Sequence, residues 1–192
     1  VLTSRGLGDV YKRQVMRDVF GEYRAPTGIV SSNILKSSTN NKEISNIQNE
    51  IQKITIKLKR RPKMLVGKPG LDGHSNGAEQ IAVRARDIGL EVVYDGIRST
   101  PEQIVVAAIE EGVHIIGLSI LSGSHVHLVK VIMNLLKKNR FSKIPVVVGG
   151  IIPPTDEKKL KSFGVKQVFT PKDFKIEQIM QQITSIIKKE YA

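Results

Sequence analysis

The sequence predicts an open parallel β-sheet with helices packed on both of its faces. After residue 62, short apolar runs alternate five times with amphipathic helix patterns, which is typical of parallel α/β sheets. The third run, Ile115-Ile116-Gly117-Leu118, is apolar at every position, as expected for a central strand that is covered on both faces. Five strands in the 62–192 segment favour the flavodoxin-like (Rossmann-like) strand order 2-1-3-4-5.

The predicted elements follow one another along the chain. Before the sheet, apolar residues at spacings of three and four mark one face of a packing helix: Ile44, Ile47, Ile51, Ile54 and Leu58. The predicted strands are Met64–Gly67, Glu91–Tyr94, His114–Ile120, Pro145–Val148 and Lys166–Phe169. The helices that follow them are Gly77–Ile88, Pro101–Glu111, Ser124–Lys138, Asp156–Phe163 and Phe174–Lys189. Thr100 is the expected N-cap of the helix that begins at Pro101.

The chain divides into four segments of different character. Residues 1–14 show no periodicity, and we interpret them as a non-native tract. Residues 15–30 look like the end of a preceding domain, because they cannot build a core of their own. Residues 31–61 hold a Ser/Asn/Lys-rich linker and the amphipathic helix. Residues 62–192 form the predicted α/β domain.

Composition excludes several classes of protein. The chain has no cysteine, so disulfides, zinc–thiolate sites and iron–sulfur clusters are excluded. No run reaches the roughly 20 apolar residues of a membrane span, and no secretory signal is visible, so we expect a cytoplasmic protein without membrane contact. The net charge of +12 lies mostly in residues 1–61, and aromatic residues are only 5%. We therefore expect no nucleic-acid binding.

The loop after the first strand carries the most informative motif. It contains Lys68, Asp72 and His74 within a run rich in glycine that ends at Gly77. Loops at the carboxyl ends of parallel strands line the ligand crevice of such sheets. A histidine with a nearby carboxylate is a common arrangement for metal ligation, because the carboxylate orients the imidazole. For Lys68 taken alone, a solvated loop cation is the alternative.

Glycines and hydroxyl groups also follow the third and fourth strands. Ser119, Ser122 and Gly123 end the third strand, and Gly149-Gly150 ends the fourth, so the loops can form a slot with few side chains. The motifs of a P-loop and of a dinucleotide-binding first turn are absent. His125 and His127 stand two residues apart, where helical side chains diverge, and we interpret them as part of a helix N-terminal turn.

Three motifs together resemble a known family. Asp72-x-His74-x-x-Gly77, Ser119-x-Leu121 and Gly149-Gly150 are similar to the signature of the cobalamin-binding domain. The runs around these motifs, at 67–74, 117–123 and 148–154, resemble the methylmalonyl-CoA mutase family, whereas corrinoid methyl-transfer domains share only the core motif. Ser75-Asn76 and the run Phe169–Phe174 are closer to the ethylmalonyl-CoA mutase branch of that family. The resemblance covers roughly residues 60–192, and it implies that the chain is a C-terminal fragment or one subunit of a split enzyme.

The resemblance also implies a role for each motif residue. His74 would be the lower axial ligand of cobalt, held by Asp72, which Lys68 contacts in turn. The nucleotide tail of the cofactor would enter the domain, with Ser119 bonding its benzimidazole end and Leu121 packing nearby. The glycines of these motifs would leave room for the tail. The cofactor-binding residues expected on this basis are Lys68, Asp72, Gly73, His74, Gly77, Ser119, Leu121, Gly123, Gly149, Gly150 and Thr170.

The function implied is that of an isomerase domain which does not turn over alone. The cofactor would be adenosylcobalamin, and the reaction would be carbon-skeleton isomerisation of ethylmalonyl-CoA or methylmalonyl-CoA type. No catalytic residue is expected in this chain, because acyl-CoA would bind only to a barrel domain or a separate large subunit. The full-length enzyme could be a homodimer. The alternative is a stand-alone corrinoid carrier or cobalamin sensor.

Overall fold

The structure, a computed structural model, describes residues 15, 19, 41–71, 73–172 and 175–191. The predicted tract 1–14, the linker 31–40 and most of the predicted domain remnant 15–30 lie outside the described residues. The helices are α1 (Asn41–Leu58), α2 (Asn76–Asp87), α3 (Pro101–Glu110), α4 (His125–Lys138), α5 (Pro154–Ser162) and α6 (Ile176–Tyr191). The strands are β1 (Lys63–Gly67), β2 (Glu91–Tyr94), β3 (Ile115–Ser119), β4 (Val146–Gly149) and β5 (Gln167–Phe169).

The five strands form one parallel sheet in the order β2-β1-β3-β4-β5. This order confirms the predicted fold class. In the register of the central strands, Val66 pairs with Gly117 and Ser119 pairs with Gly149. The carboxyl ends of β1, β3 and β4 therefore lie side by side, and the loops that follow them share one edge of the sheet.

The two faces of the sheet carry different helices. Helices α3, α4 and α5 cover one face, where buried residues such as Leu65, Ile116 and Val148 meet Ile132 and Leu160. We call this the α4 face. Helices α1, α2 and α6 contribute to the core on the other face, which we call the α6 face. Strand residues alternate between the two faces, as the period of two in a β-strand requires.

Helix α1 is part of the core of the α6 face. Its apolar stripe buries Ile47, Ile51 and Ile54, so the predicted packing helix is confirmed. The Glu50 carboxylate accepts a hydrogen bond from the Lys188 ammonium of α6 at 2.5 Å. This bond, and a second one from Lys53, lowers the pKa of Glu50 to about 2.

The ends of the elements follow local chemistry. The Thr100 hydroxyl accepts a bond from the Gln103 backbone N–H, and the Gln103 side chain accepts one from the Thr100 N–H, which completes a capping box. The predicted cap is thus confirmed. Helix α5 begins at Pro154, two residues earlier than predicted, because proline is well suited to the first helical position. None of the described helices is long and apolar enough to cross a bilayer.

Candidate functional site

The β1–α2 loop begins as a continuation of the sheet. Pro69 and Ser99 form a parallel bridge, the Gly70 N–H donates to the Ser99 carbonyl oxygen at 3.2 Å, and the Ser99 N–H donates to the Lys68 carbonyl oxygen at 3.3 Å. The Ser99 hydroxyl in turn donates to the carbonyl oxygen of Asp95. These bonds fasten the first residues of the loop to the β2–α3 loop.

Three of the later loop residues that the structure describes are exposed to solvent. Gly73 and His74 are exposed, and Leu71 is 89% exposed. Lys68 is different, because its side chain is completely buried, with 0% exposure. The interpretation of Lys68 as a solvated loop cation is therefore wrong. Asp72, the predicted partner of His74, lies outside the described residues.

A cavity of about 380 Å³ lies on the α6 face below the carboxyl edge of the sheet. Its walls are the upper parts of β1, β3, β4 and β5 together with helices α2 and α6, and they are mostly apolar. Six of the predicted site residues line it: Gly77, Ser119, Leu121, Gly149, Gly150 and Thr170. The loops after β3, β4 and β5 and the first turn of α2 thus contribute to one cavity, as their position at the carboxyl edge predicts.

The other predicted residues are placed differently. Lys68, Gly73, His74 and Gly123 are not among the residues that line the cavity. His74 lies three residues before Gly77, in the exposed part of the loop that leads into α2. Gly123 is exposed in the β3–α4 loop. The structure therefore brings six of the predicted residues together in one cavity and places these four outside its lining.

The cavity glycines fall into two groups. A Cβ on Gly150 would lie 1.9 Å from the carbonyl oxygen of Ile120, so only glycine allows the two backbones to approach this closely. A Cβ on Gly77 would have no atom within 4 Å, and one on Gly149 would only reach the Leu118 carbonyl oxygen at 3.9 Å. Protein packing alone does not require glycine at Gly77 or Gly149. At these two positions the missing side chain leaves open space.

Sequence reasoning missed the lower part of the cavity. Gly117, in the middle of β3, lines it, and a Cβ there would lie 2.5 Å from the terminal methyl group of Met64. The first turns of α6 provide three isoleucines that the sequence suggests only as core residues: Ile176, Ile179 and Ile183. The available signal was a glycine within an otherwise large and apolar strand, which often marks a close approach.

The end of β2 and the residue that follows it carry two buried polar atoms without a hydrogen-bond partner in the described part of the chain. These atoms are the Tyr94 hydroxyl and Oδ2 of Asp95. Burial, and to a lesser degree the charge of Glu79, raises the pKa of Tyr94, so its hydroxyl stays protonated near neutral pH. Within the described residues, no three or more His, Asp or Glu side chains converge as a metal site.

Comparison with protein families identifies the domain. Residues 62–179 match the family described as the B12 binding domain. The chain belongs to the B12-binding domain family. The predicted resemblance is thereby confirmed, and the matched segment contains the sheet, the β1–α2 loop and every residue that lines the cavity except Ile183.

Curated relatives of this B12-binding domain include acyl-CoA mutases. The chain is 48% identical over 176 residues to the ethylmalonyl-CoA mutase of Methylorubrum extorquens, covering 92% of this chain and 25% of the relative. It is 35% identical over 156 residues to the mitochondrial methylmalonyl-CoA mutase of Homo sapiens, covering 81% of this chain and 21% of the relative. The chain thus spans about a quarter of the length of these mutases.

Solved structures support the fold of the B12-binding domain. A cobalamin-binding protein from Desulfitobacterium hafniense matches 92% of this chain and 77% of its own, with a TM-score of 0.58 and 18% identity. The monomethylamine corrinoid protein of Methanosarcina barkeri matches 74% of this chain and 63% of its own, with a TM-score of 0.56 and 14% identity. At such low identities these likenesses concern the fold alone.

Proposed function

We propose that this chain is the cobalamin-binding part of an adenosylcobalamin-dependent acyl-CoA mutase, with His74 as the lower axial ligand of cobalt. One observation carries the proposal. A partly glycine-lined cavity on the α6 face opens among the carboxyl-edge loops, next to the loop that exposes a histidine. Family membership and the identity to ethylmalonyl-CoA and methylmalonyl-CoA mutases support the same function.

The cavity suits the nucleotide tail of cobalamin in size and chemistry. Its volume of about 380 Å³ lies within the range of roughly 300–1,000 Å³ that is usual for small-molecule sites. The apolar walls from Val66, Phe169 and Ile179 suit an aromatic ring, and Ser119 offers one hydroxyl. The open space beside Gly77 and Gly149 would receive the parts of the tail that a side chain would otherwise fill.

The β1–α2 loop would hold the histidine in place. An ammonium that is fully buried, as in Lys68, requires a nearby acceptor or anion, since desolvation of an unpaired charge is very costly. Asp72 stands four residues after Lys68 in the same loop. We propose that Lys68 contacts Asp72 and that Asp72 accepts a hydrogen bond from the ring N–H of His74 that does not face cobalt. This arrangement would fix the tautomer and orientation of the ligand.

The chemistry of the reaction belongs to the cofactor and to a second protein part. When bound, adenosylcobalamin supplies a cobalt–carbon bond whose homolysis starts a radical rearrangement of the acyl-CoA carbon skeleton. We propose that the acyl-CoA binds to a barrel domain, in the same polypeptide or in a separate large subunit, and that residues 15–30 are the end of that barrel. The substrate pair would be ethylmalonyl-CoA and methylsuccinyl-CoA or methylmalonyl-CoA and succinyl-CoA, and the full-length enzyme a homodimer.

Electron paramagnetic resonance of bound cob(II)alamin tests the axial ligand directly. The chain is prepared with ¹⁵N in every nitrogen and mixed with unlabelled cob(II)alamin. If His74 is the ligand, the nitrogen splitting of the cobalt signal changes from the triplet of ¹⁴N to the doublet of ¹⁵N, because the coordinating nitrogen comes from the protein. His74→Ala abolishes the doublet, whereas His127→Ala, which removes an exposed histidine of α4, retains it.

Two different negative results distinguish a wrong axial ligand from the absence of cobalamin binding. A triplet in the labelled wild-type complex means that the benzimidazole of the cofactor stays on cobalt, and the axial role of His74 is then wrong. An unchanged signal of free cob(II)alamin, together with no retention of the cofactor on gel filtration, contradicts cobalamin binding as a whole.

A further inference from the structure

A buried histidine connects the β3–α4 loop to the first turn of α5. His125, the first residue of α4, is 3% exposed. Its Nδ1 lies 3.2 Å from the carbonyl oxygen of Ser122, and its Nε2 lies 3.0 Å from Oδ2 of Asp156 in the first turn of α5. The sequence pattern indicates only that His125 lies in a helix N-terminal turn. It gives no sign of the contact with Asp156, since 31 residues separate the two.

Both partners of the ring are acceptors. A backbone carbonyl oxygen can only accept, and an ionised carboxylate also only accepts. The pKa of Asp156 is lowered first by the hydrogen bond from the Lys159 ammonium and then by the bond to His125, which keeps the carboxylate charged. Because the ionised carboxylate can only accept, Nε2 of His125 is the donor in the bond to Asp156, an aspartate that the Lys159 ammonium also contacts.

The two anchors of this ring lie close in sequence to residues of different cavity walls. Ser122 lies in the β3–α4 loop, directly after Leu121, which lines the cavity. Asp156 lies in the first turn of α5, a few residues after Gly149 and Gly150, which also line it. His125 itself is not among the lining residues. It therefore acts on the cavity only through the loops that it joins.

We propose that the His125–Asp156 pair is a positioning device that holds the β3–α4 and β4–α5 loops at the spacing which cobalamin requires. This inference rests on the proposed cobalamin-binding function and extends it to two residues outside the cavity. A charge-assisted bond is about twice as strong as a neutral one. Because this bond fixes the loops before cobalamin binds, binding loses less conformational entropy, and the affinity for cobalamin is higher.

The ligand-free chain gives the first test. Long-range ¹H–¹⁵N correlation spectra should show a proton on Nε2 of His125 that is hydrogen-bonded to Asp156, and Asp156→Asn should change its resonance. Amide exchange should be faster in His125→Gln at the Ile120 and Gly150 amides, which bond to the carbonyl oxygens of Gly149 and Phe169. An Nε2 without a proton in the wild type, or unchanged exchange at both amides, overturns the proposal.

Cobalamin titration gives the second test. We expect His125→Gln and Asp156→Asn each to raise the dissociation constant for cobalamin by about tenfold, and the double variant to raise it no further, since both remove the same link. His127→Gln, on the exposed side of the same helix turn, should change it by less than about twofold. Additive losses in the double variant, or wild-type affinity in His125→Gln, overturn the positioning role.

The two proposals fail in different ways. If the wild type binds no cobalamin, the proposed function is wrong. The NMR spectra and the amide exchange of the ligand-free chain still test whether His125 and Asp156 hold the loops together. If the wild type binds but the histidine variant binds equally well, only the positioning role is wrong. If His125→Gln does not fold, amide exchange and cobalamin titration are both measured on Asp156→Asn, because an asparagine has nearly the shape of the aspartate that it replaces.

Discussion

The two faces of the sheet differ in how their side chains fill space. On the α4 face, helix α4 turns Val129, Ile132 and Leu136 toward the sheet, and all three are completely buried. On the α6 face, helix α2 turns Ala78, Ala82 and Ala85 inward. The first face is packed with large side chains, whereas the second contains a cavity of about 380 Å³ near its carboxyl edge.

The difference shows how a sheet can combine stability with a deep ligand site. Packing on the α4 face needs no ligand to be complete. On the α6 face, large residues of α1 and α6 such as Ile54 and Ile187 fill the lower part, and small residues leave the upper part open. We therefore expect substitutions on the α4 face to affect mainly the free energy of unfolding. Substitutions at the cavity should affect mainly cobalamin affinity.

The largest effect on stability is expected from Ile132→Ala on the α4 face. Ile132 is completely buried, and its truncation should lower the free energy of unfolding by about 3 kcal/mol, through lost burial and the space that remains. Urea denaturation measures this loss. Cobalamin affinity of the folded variant should remain within about twofold of wild type, and a tenfold loss of affinity would show that the two faces are not independent.

Two neighbouring positions on β4 compare the faces most directly. Gly149→Val places a side chain in the cavity, with only the Leu118 carbonyl oxygen within 4 Å of its Cβ. We expect cobalamin affinity to fall at least about tenfold, while the free energy of unfolding changes by less than about 1 kcal/mol. Titration of the cobalamin absorption spectrum and urea denaturation measure the two quantities.

The matched control is Val148→Ile, one residue earlier and on the opposite face. Val148 is completely buried against the α4 face, so an added methylene should cost about 1–3 kcal/mol by overpacking. Cobalamin affinity should be unchanged, because this residue does not line the cavity. If Gly149→Val binds cobalamin as the wild type does, the cavity is not the site of the tail.

The smallest effect is expected at the contact between α1 and α6. The pKa of Glu50 is lowered to about 2 in the folded chain, from an ordinary value of 4.5, mainly by the bond from Lys188. A lowered pKa stabilises the fold above the ordinary value, and this contribution is lost as the pH falls from about 4.5 toward 2. Glu50 is partly exposed, so the contribution is small.

Thermal unfolding of Glu50→Gln measures this contact. At pH 7 the variant should melt slightly below the wild type, and the difference should shrink as the pH is lowered from 5 to 3. Lys53→Gln controls for the second, more exposed partner of Glu50. A constant difference between the two melting temperatures over this range would mean that the Glu50 charge does not contribute to the docking of α1.

The sequence predicted the elements well because their signals are local. Alternation of apolar runs with helical periodicity located all five strands to within about one residue at each end. Five strands favour the observed order by the rule for open parallel sheets, and this order places Ser119, Gly149 and Gly77 around one crevice. Glycine at these positions was informative because loops after parallel strands converge.

Properties that depend on contacts between residues far apart in the sequence could not be predicted from local patterns. The residues of the loop left a solvated cation open as the alternative for Lys68, whereas the structure shows its side chain completely buried. The lower wall of the cavity depends on Met64 reaching Gly117 from a neighbouring strand. Neither feature has a periodic signal, since each depends on residues that only the paired strands or loops bring together.

The chain thus carries its fold and its ligand motif in local patterns. Hydrophobic period, turn residues and the spacing from His74 to Gly77 act over a few residues, and they determine where strands end and what the loops offer. Only the tertiary structure determines that the α6 face contains a cavity, that Lys68 is buried and that His125 bonds to Asp156. Those outcomes depend on packing between elements, and His125 and Asp156 meet only because α4 and α5 lie side by side.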